Sequence, residues 1–307
     1  MKSSGVSPSR VFAALIVVQI LFGAGYVVSK QLVGVFPPLV WASVRIIVST
    51  VLMFGIILTA RKRPPKVDRK FFISLIGFSL LGMIINQSSF LVGLKYTTST
   101  NSAILNTLIP IFTLLIVTIR GQEPLTSLRV LGFIFALCGV VTIRHIEDFT
   151  LSSETFRGDL LTILNCLSYA LFLSYSKPFL EKNDKLWTTA WLFLYGSIGI
   201  TLLAIPDYLE FQWPVMTSAL WFCVVFAIVG TTLMTYFLNF WALAHASSSS
   251  VALFIYLQPV IAAAIAWYWL GEEITLRTVV ASGLIFFGMM MGLGRPNRKR
   301  VMAHEVQ

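Results

Sequence analysis

The chain has 307 residues, of which 57% are hydrophobic and only 12% are charged, and its mean hydropathy is +0.83. Soluble globular proteins carry about 25% charged residues, so this chain has too few charges to cover a water-facing surface, which excludes a soluble domain. The formal net charge is +10, but no predicted domain offers the basic folded surface that nucleic-acid recognition needs, so no nucleic-acid partner is expected.

The apolar residues form ten continuous blocks. Each is close to the ~20 residues that cross a ~30 Å hydrocarbon core as a helix, whereas the strands of a membrane barrel would alternate apolar and polar residues. The sequence therefore predicts an all-α polytopic membrane protein whose surroundings are the lipid bilayer. In chain order, the predicted transmembrane helices cover residues 11–30, 39–59, 71–93, 98–119, 128–145, 157–178, 187–205, 218–240, 249–269 and 277–294.

Lysine and arginine are unevenly distributed between the two sides of the predicted bundle. With the N-terminus inside, 17 of them fall on the inner side and five on the outer side, while Arg45 lies within the second helix. Because basic residues concentrate in cytoplasmic loops, both termini are predicted to be cytoplasmic. The predicted location is a cell membrane, in particular the inner membrane of a bacterium.

An internal repeat divides the ten helices into two halves. A shift of 149 residues pairs Pro110 with Pro259, Glu123 with Glu272 and Gly139 with Gly288, and a shift of 147 pairs the Ser-Lys dipeptide at 29–30 with that at 176–177. Apolar helices resemble one another by composition alone, but this shared proline-to-glutamate spacing favours a duplication.

Each repeat would hold five helices, an odd number, so the second copy enters the membrane from the opposite side. The sequence therefore predicts two inverted five-helix repeats, an architecture typical of secondary transporters with a site near the midplane. The predicted boundaries are a first repeat at 1–146, an external linker at 147–156, a second repeat at 157–295 and a basic cytoplasmic tail at 296–307.

Several motifs resemble those of the EamA-type family of the drug/metabolite transporter superfamily. They are "FGAGYVVSK" at 22–30, "PLVWASVRIIVS" at 38–49, and the two helix ends "LIPIFTLLIVTIRGQEPLT" and "LQPVIAAAIAWYWLGEE". Phe22 stands where members of the family often have tryptophan, a departure that would alter a cavity wall. The resemblance implies ten helices, no nucleotide hydrolysis, and movement of amino acids or related small metabolites, often outward.

Polar side chains inside the apolar blocks are candidates for a substrate cavity, because such residues normally face the interior of a bundle. They fall on predicted helices one, three and four and on their repeat mates six, eight and nine. Uncharged amides suit a zwitterion or polar metabolite, although they could equally be hydrogen-bonded contacts between helices. The candidates are Gln19, Asn86, Gln87, Asn106, Asn165, Tyr169, Asn239, Tyr256 and Gln258.

Arg45 is a further cavity candidate, since it is the one cation deep within a predicted helix. At the bilayer centre a cation costs roughly 2.5–3.5 kcal/mol on insertion scales unless polar groups face it. Arg45 could neutralise a substrate carboxylate, or it could be a structural tie to the carbonyls of a helix end. The structural interpretation is the favoured one at this point.

Four residues are candidates for gating or hinge roles. Pro110 and Pro259 lie at matching places in predicted helices four and nine, and proline can bend a helix because it lacks a backbone donor. Glu123 and Glu272 end these helices on opposite faces. We expect each carboxylate to bind the N-terminus of a neighbouring helix, where the helix dipole favours negative charge, and gating is the alternative.

The sequence contains no sign of catalysis or of a bound cofactor. It has no GxxxxGK[ST] phosphate loop, and its three cysteines and three histidines are scattered rather than spaced as metal ligands. The predicted function is a secondary transporter that exports amino acids or related small polar metabolites by alternating access. The alternatives are an intramembrane enzyme, a receptor or scaffold, or a carrier of nucleotide sugars, nucleosides or vitamins; the oligomeric state is open, a monomer included.

Overall fold

The computed structural model describes residues 7–66, 68–97, 105–143, 155–261 and 275–293, together with residues 102 and 264. These ranges form ten apolar helices, seven of them long and apolar enough to cross a membrane, which confirms the predicted all-helical membrane fold. The helices are α1 (Pro8–Val35), α2 (Pro38–Thr59), α3 (Arg69–Tyr96), α4 (Leu108–Ile119), α5 (Ser127–Ile143), α6 (Phe156–Lys182), α7 (Lys185–Glu210), α8 (Ser218–Leu243), α9 (Ser248–Ile261) and α10 (Leu276–Leu293).

Several helices extend beyond their predicted ends. The helix α1 runs from Pro8 to Val35 rather than over 11–30, and α7 continues to Glu210 rather than ending at 205. Apolar patterning marks only the part of a helix that lies in hydrocarbon, whereas the backbone hydrogen bonds continue into the interface. The predicted linker at 147–156 lies largely outside the described residues and the tail at 296–307 lies wholly outside them, so the domain boundaries stay a prediction.

Helices four and nine are interrupted, which corrects the prediction of continuous helices over 98–119 and 249–269. A turn at Asn106–Thr107 precedes α4, and a 3₁₀ segment at Phe254–Leu257 interrupts α9. The two interruptions are equivalent in the repeat, because the positions 149 residues after Asn106 and Thr107 lie within the 3₁₀ segment. At the first interruption, the thiol of Cys166 on α6, in the second repeat, donates to the carbonyl oxygen of Leu105 beside the turn, at 3.4 Å.

The interruptions also change the interpretation of the two prolines. Pro110 is the third residue of α4, and Pro259 is the second residue after the 3₁₀ segment. The first-turn N–H groups of a helix have no acceptor within that helix, so proline is tolerated there. The prolines therefore begin the second segments of the interrupted helices and do not bend continuous ones.

Two wide turns occupy matching places in the third helix of each repeat. A π-helical segment covers Leu80–Ile85 within α3, and another covers Phe226–Met234 within α8. Such segments are rare and are frequently found at functional sites. Here they lie directly before the polar residues Asn86 and Gln87 in α3, and before Tyr236 and Asn239 in α8.

Lys30 and Lys177 make equivalent contacts in the two repeats. Nζ of Lys30 donates to the carbonyl oxygens of Leu94 and Thr97 at 2.7 and 3.1 Å. Nζ of Lys177 donates to those of Leu243 and Ala246 at 3.1 and 2.6 Å. The acceptors are again 149 residues apart, and each ammonium lies at a helix C-terminus, where the helix dipole favours a cation.

The packing of the helices follows a pseudo-two-fold axis between the repeats. Three pairs of repeat mates contact each other: α2 with α7, α4 with α9, and α5 with α10. The contact of α1 with α8 is matched by that of α6 with α3, as exchange of the two repeats requires. The structure thus has the form of two repeats with five helices each, and five is the odd number that inverts the second copy.

Glycines allow α5 and α10 to approach until their backbones touch. A methyl group added at Gly288 would lie 2.4 Å from the backbone nitrogen of Ala136, and one added at Gly139 would lie 2.9 Å from that of Ile285. The two contacts are equivalent in the repeat, because Gly139 and Ala136 lie 149 residues before Gly288 and Ile285. Close approach at small residues is the usual basis of helix association in lipid, where van der Waals packing replaces the hydrophobic effect.

Candidate functional site

A cavity of about 100 Å³ lies between the two repeats, and most of the residues that line it are polar. Since about 10–15 Å³ of such volume accommodates one water molecule, this cavity has room for several waters or a small solute. It lies among α1, α3, α4, α6, α8 and α9, with one residue from α2. Its lining comprises Gln19, Phe22, Gly25, Tyr26, Ser29, Arg45, Asn86, Gln87, Phe90, Asn106, Ile109, Asn165, Tyr169, Leu173, Thr231, Tyr236, Asn239, Val251, Ile255 and Gln258.

Nine of the ten predicted cavity residues line this space, and the exception is Tyr256. Its side chain is fully buried, and its ring packs edge-on against Phe133 of α5, with ring centroids 6.3 Å apart. Tyr256 lies in the 3₁₀ segment of α9, where three residues complete a turn instead of 3.6. The prediction selected Tyr256 for its polarity alone, but a polar side chain in an apolar block can also face a neighbouring helix. The substrate-binding role of the other nine stays a prediction.

Amide side chains on one wall of the cavity form a hydrogen-bonded chain with a single direction. Arg45 donates to Oε1 of Gln87, and Nε2 of Gln87 donates to Oδ1 of Asn86 at 2.8 Å. Nδ2 of Asn86 donates to Oδ1 of Asn165 at 2.5 Å. Each amide thus presents its oxygen toward Arg45, which is the orientation that stabilises a buried cation and lets successive bonds polarise one another.

The same chain continues across the boundary between the repeats. Nδ2 of Asn165, on α6, donates to Oδ1 of Asn106 beside the helix interruption, at 2.9 Å. Nδ2 of Asn106 in turn donates to the hydroxyl of Tyr26 on α1, at 2.8 Å. We name this series the amide chain; it comprises Gln87, Asn86, Asn165 and Asn106, between Arg45 and Tyr26. Asn165 is its one member from the second repeat.

Single hydrogen bonds outside the amide chain complete the polar part of the lining. Gln87 also donates to the hydroxyl of Tyr236, and Nδ2 of Asn239 donates to the hydroxyl of Tyr169. Nε2 of Gln258 donates to Oε1 of Gln19 at 2.8 Å, which joins α9 to α1. The candidate amides therefore serve both as contacts between helices and as lining of the cavity.

Tyr26 and Tyr236 were missed by the sequence prediction. Tyr26 lies seven residues, about two helical turns, after Gln19, and Tyr236 lies three residues before Asn239. Residues at these spacings share one face of a helix. A search for further polar residues three, four or seven positions from each predicted one would have found both tyrosines. The same rule places Phe22 and Tyr26 on the Gln19 face, and all three line the cavity.

Glu123 makes the contact that the sequence predicted for it. Its Oε1 accepts a hydrogen bond from the backbone N–H of Ser249 at 3.2 Å, at the N-terminus of α9, and its Oε2 accepts one from the Ser249 hydroxyl. Nη1 of Arg129 lies 3.0 Å from Oε2, and this ion pair is buried. Glu123 thus joins the end of α4 to the start of α9. Glu272 lies outside the described residues.

A second link joins the repeats on the same face of the protein, at the loop after α2. Nζ of Lys62 lies 2.9 Å from Oδ2 of Asp184, which precedes α7. Burial opposes ionisation of Asp184, but hydrogen bonds from the N–H groups of Trp187 and Leu186 and the charge of Lys62 outweigh it, so the pKa of this carboxyl lies below its usual value. We name this face, defined by the loop at 60–68, the basic face.

Two inverted five-helix repeats around a cavity lined by polar side chains define the class of membrane transporters built from inverted repeats. The sequence profile of the EamA-like transporter family matches the chain twice, over residues 10–144 and 156–293. The chain belongs to the EamA-like transporter family.

Curated relatives support the same class. The chain is 23% identical over 297 residues to "Uncharacterized transporter YoaV" of Bacillus subtilis, covering 95% of this chain and 99% of that protein. It is 23% identical over 328 residues to a WAT1-related protein of Arabidopsis thaliana, covering 96% and 84% of the two chains. A solved crystal structure with 16% identity shares the fold, with a TM-score of 0.76 over 93% of this chain and 96% of that one.

Proposed function

We propose that the protein is a secondary transporter that moves a small polar metabolite, such as an amino acid, through the cavity by alternating access, in the direction of export. The observation that carries this proposal is the cavity itself. It lies between the repeats, and donors and acceptors on helices from both repeats line it. A solute bound there would contact both halves, so rocking of one half against the other would carry it from one face to the other.

Gating follows from the interrupted helices and from the link at Glu123. The interruptions at Asn106–Thr107 and Phe254–Leu257 lie beside the cavity, and Pro110 and Pro259 lie in the helical turns that follow them. We propose that these segments are the hinges, and that the Glu123–Ser249 contact closes the basic face. By the repeat symmetry, Glu272 is the proposed counterpart on the opposite face.

The competing functions need features that the described residues lack. An intramembrane enzyme needs a convergent catalytic or metal-binding set, and no metal-binding cluster occurs in the described part of the chain. A receptor or scaffold usually presents a sizeable loop or domain, whereas the described connections between helices are short. Transport therefore accounts best for a polar cavity enclosed by apolar helices.

The proposed orientation places the basic face and both termini in the cytoplasm of a bacterial cell. Single cysteines at Lys66 and Ser152 in a cysteine-free background test it with a membrane-impermeant thiol reagent. Ser152→Cys should react in intact cells and Lys66→Cys only after permeabilisation, since basic loops stay inside. Reaction of both positions from the same side would contradict the inverted repeat, because three helices separate them.

Flux measured with the purified full-length protein in liposomes tests the proposed function. A panel of labelled amino acids, nucleosides, vitamins and sugar nucleotides should contain at least one solute that crosses saturably and chemically unchanged. If the Glu123 link must open in each cycle, Glu123→Gln should change the rate of flux rather than the affinity. Absence of flux for every solute, or recovery of a chemically altered product, would contradict transport.

A further inference from the structure

Arg45 is a buried cation whose charge no described side chain neutralises. It is 4% exposed and lines the cavity. It donates to one uncharged oxygen, Oε1 of Gln87, while its Nε has no hydrogen-bond partner among the residues that the structure describes. A buried guanidinium with an unused donor favours an anion as its additional partner, because burying an unpaired charge is costly.

Two other cations show what a structural tie looks like in this fold. Lys30 and Lys177 each bind two carbonyl oxygens at a helix C-terminus, and they occupy matching places in the repeats. Arg45 has no such contact with backbone carbonyls in the described ranges; its contact is with a side chain in the cavity wall. The structural interpretation favoured from the sequence predicted contacts with helix-end carbonyls, and the described residues include none.

The internal repeat supplies a comparison within the same molecule. The mate of Arg45 on α7 is Leu192 at a shift of 147 and Leu194 at a shift of 149. Leu192 is buried in the core. The second repeat therefore has an aliphatic side chain at this place, and the positive charge is particular to the first repeat.

A residue of the cavity lining also carries a buried acceptor without a partner. Asn239 is 4% exposed; its Nδ2 donates to Tyr169, and its Oδ1 has no partner among the described residues. An unpaired buried acceptor costs about 1–3 kcal/mol, so a solute that donates a hydrogen bond would relieve it. The lining thus leaves one cationic donor and one uncharged acceptor without partners.

From these observations we propose that Arg45 binds a carboxylate of the transported solute and that Oδ1 of Asn239 accepts a hydrogen bond from an amino or hydroxyl group of the same molecule. This proposal rests on the proposed transport function and names its substrate class, small amino acids or hydroxy acids. A guanidinium fork matches the two oxygens of a carboxylate. A single arginine leaves the pyrophosphate of a nucleotide sugar mostly unneutralised, which disfavours that class.

The test compares matched solutes on the full-length protein in detergent and in liposomes. The probes are leucine, 4-methylpentanoate, which lacks the amino group, and 3-methylbutylamine, which lacks the carboxylate; the remaining amino acids and their carboxamides extend the series. Binding is measured by the shift in melting temperature, and transport by competition with the labelled solute of highest flux. We expect removal of the carboxylate to weaken binding about 10- to 100-fold, as for loss of a charged hydrogen bond.

Two variants assign these effects to residues. In Arg45→Leu, which introduces the residue type of the second repeat, an acid and its carboxamide should bind equally. In Asn239→Leu, an amino acid and its deaminated analogue should bind equally while the preference for the carboxylate remains. If Arg45→Leu does not fold, Arg45→Lys keeps the charge without the planar fork, and it should retain the preference with a smaller ratio.

The outcomes separate this inference from the transport proposal. Equal binding of acids and carboxamides by the unmodified protein, or a carboxylate preference that survives in folded Arg45→Leu, overturns the inference. Saturable flux of uncharged solutes alone also overturns it and leaves transport standing. Absence of flux for every solute contradicts transport itself, whereas carboxylate-selective binding that depends on Arg45 would still support the site.

Discussion

Replacement of Gly288 by valine should destabilise the protein more than any other single change at the helix interfaces considered above. The first atom of a side chain at this position would lie 2.4 Å from the backbone nitrogen of Ala136 and 2.5 Å from the carbonyl oxygen of Gly132. Backbone atoms cannot rotate away as side chains do, so α5 and α10 must separate. Forced overpacking typically costs about 1–3 kcal/mol and occasionally more.

The same helix provides a matched control in Gly283. No heavy atom lies within 4 Å of a side chain started there, so Gly283→Val adds the same group without a clash. The melting temperature in detergent and the abundance in membranes should fall for Gly288→Val and stay near normal for Gly283→Val. Equal melting of both variants would show that close approach of α5 and α10 does not stabilise the fold.

Sequence patterns predicted the helices because lipid leaves few alternatives. Every backbone polar group in hydrocarbon must be satisfied within its own segment, so a continuous apolar block such as 39–59 has to be a helix. The polar exceptions within those blocks were equally informative. Exposure of residues such as Asn165 and Asn239 to lipid costs free energy, and the structure places both in the wall of the cavity.

Local irregularities could not be predicted in the same way. Pro110 signals that backbone hydrogen bonding changes nearby, but whether a helix bends or breaks depends on partners from elsewhere in the fold. Here the thiol of Cys166 binds the carbonyl of Leu105 beside the turn, and Cys166 is 61 residues away in sequence. The order of the amide chain was likewise hidden, because it depends on how α3, α6 and the turn before α4 are placed around the cavity, with α2 and α1 at its ends.

Replacement of Asn165 by alanine should have the largest effect on transport among the amide variants. Asn165 accepts from Asn86 and donates to Asn106, so its loss leaves the Asn86 donor unpaired and leaves the Asn106 oxygen with only the Cys166 thiol, at 3.3 Å, as a donor. Each unsatisfied group costs about 1–3 kcal/mol, and about 1.4 kcal/mol corresponds to a tenfold change in an equilibrium constant. Asn86 and Asn106 both line the cavity, so the loss disturbs the proposed substrate site itself, and we expect flux per folded molecule to fall about tenfold or more.

The neighbouring Leu164 is a matched control on the same helix. Its side chain is 44% exposed at the surface of the bundle, so Leu164→Ala removes a side chain beside Asn165 without altering the cavity, and flux should stay close to normal. Binding, flux and melting temperature must be measured on the same purified preparations, because the amide also joins α6 to α3 and α4. A variant that merely unfolds would lose all three in parallel.

The remaining amides decide between a cavity lining and simple contacts between helices. Alanine at Asn86, Gln87, Asn239 or Gln258 should weaken apparent affinity several-fold, since a lost substrate hydrogen bond costs about 0.5–1.5 kcal/mol. Contacts that only hold helices together contribute a similar energy in membranes, about 0.6–2 kcal/mol, but removing them lowers the melting temperature and leaves flux per folded molecule unchanged. Lower stability with unchanged flux at these four amides and at Asn165 would therefore contradict the assignment of this cavity as the substrate site.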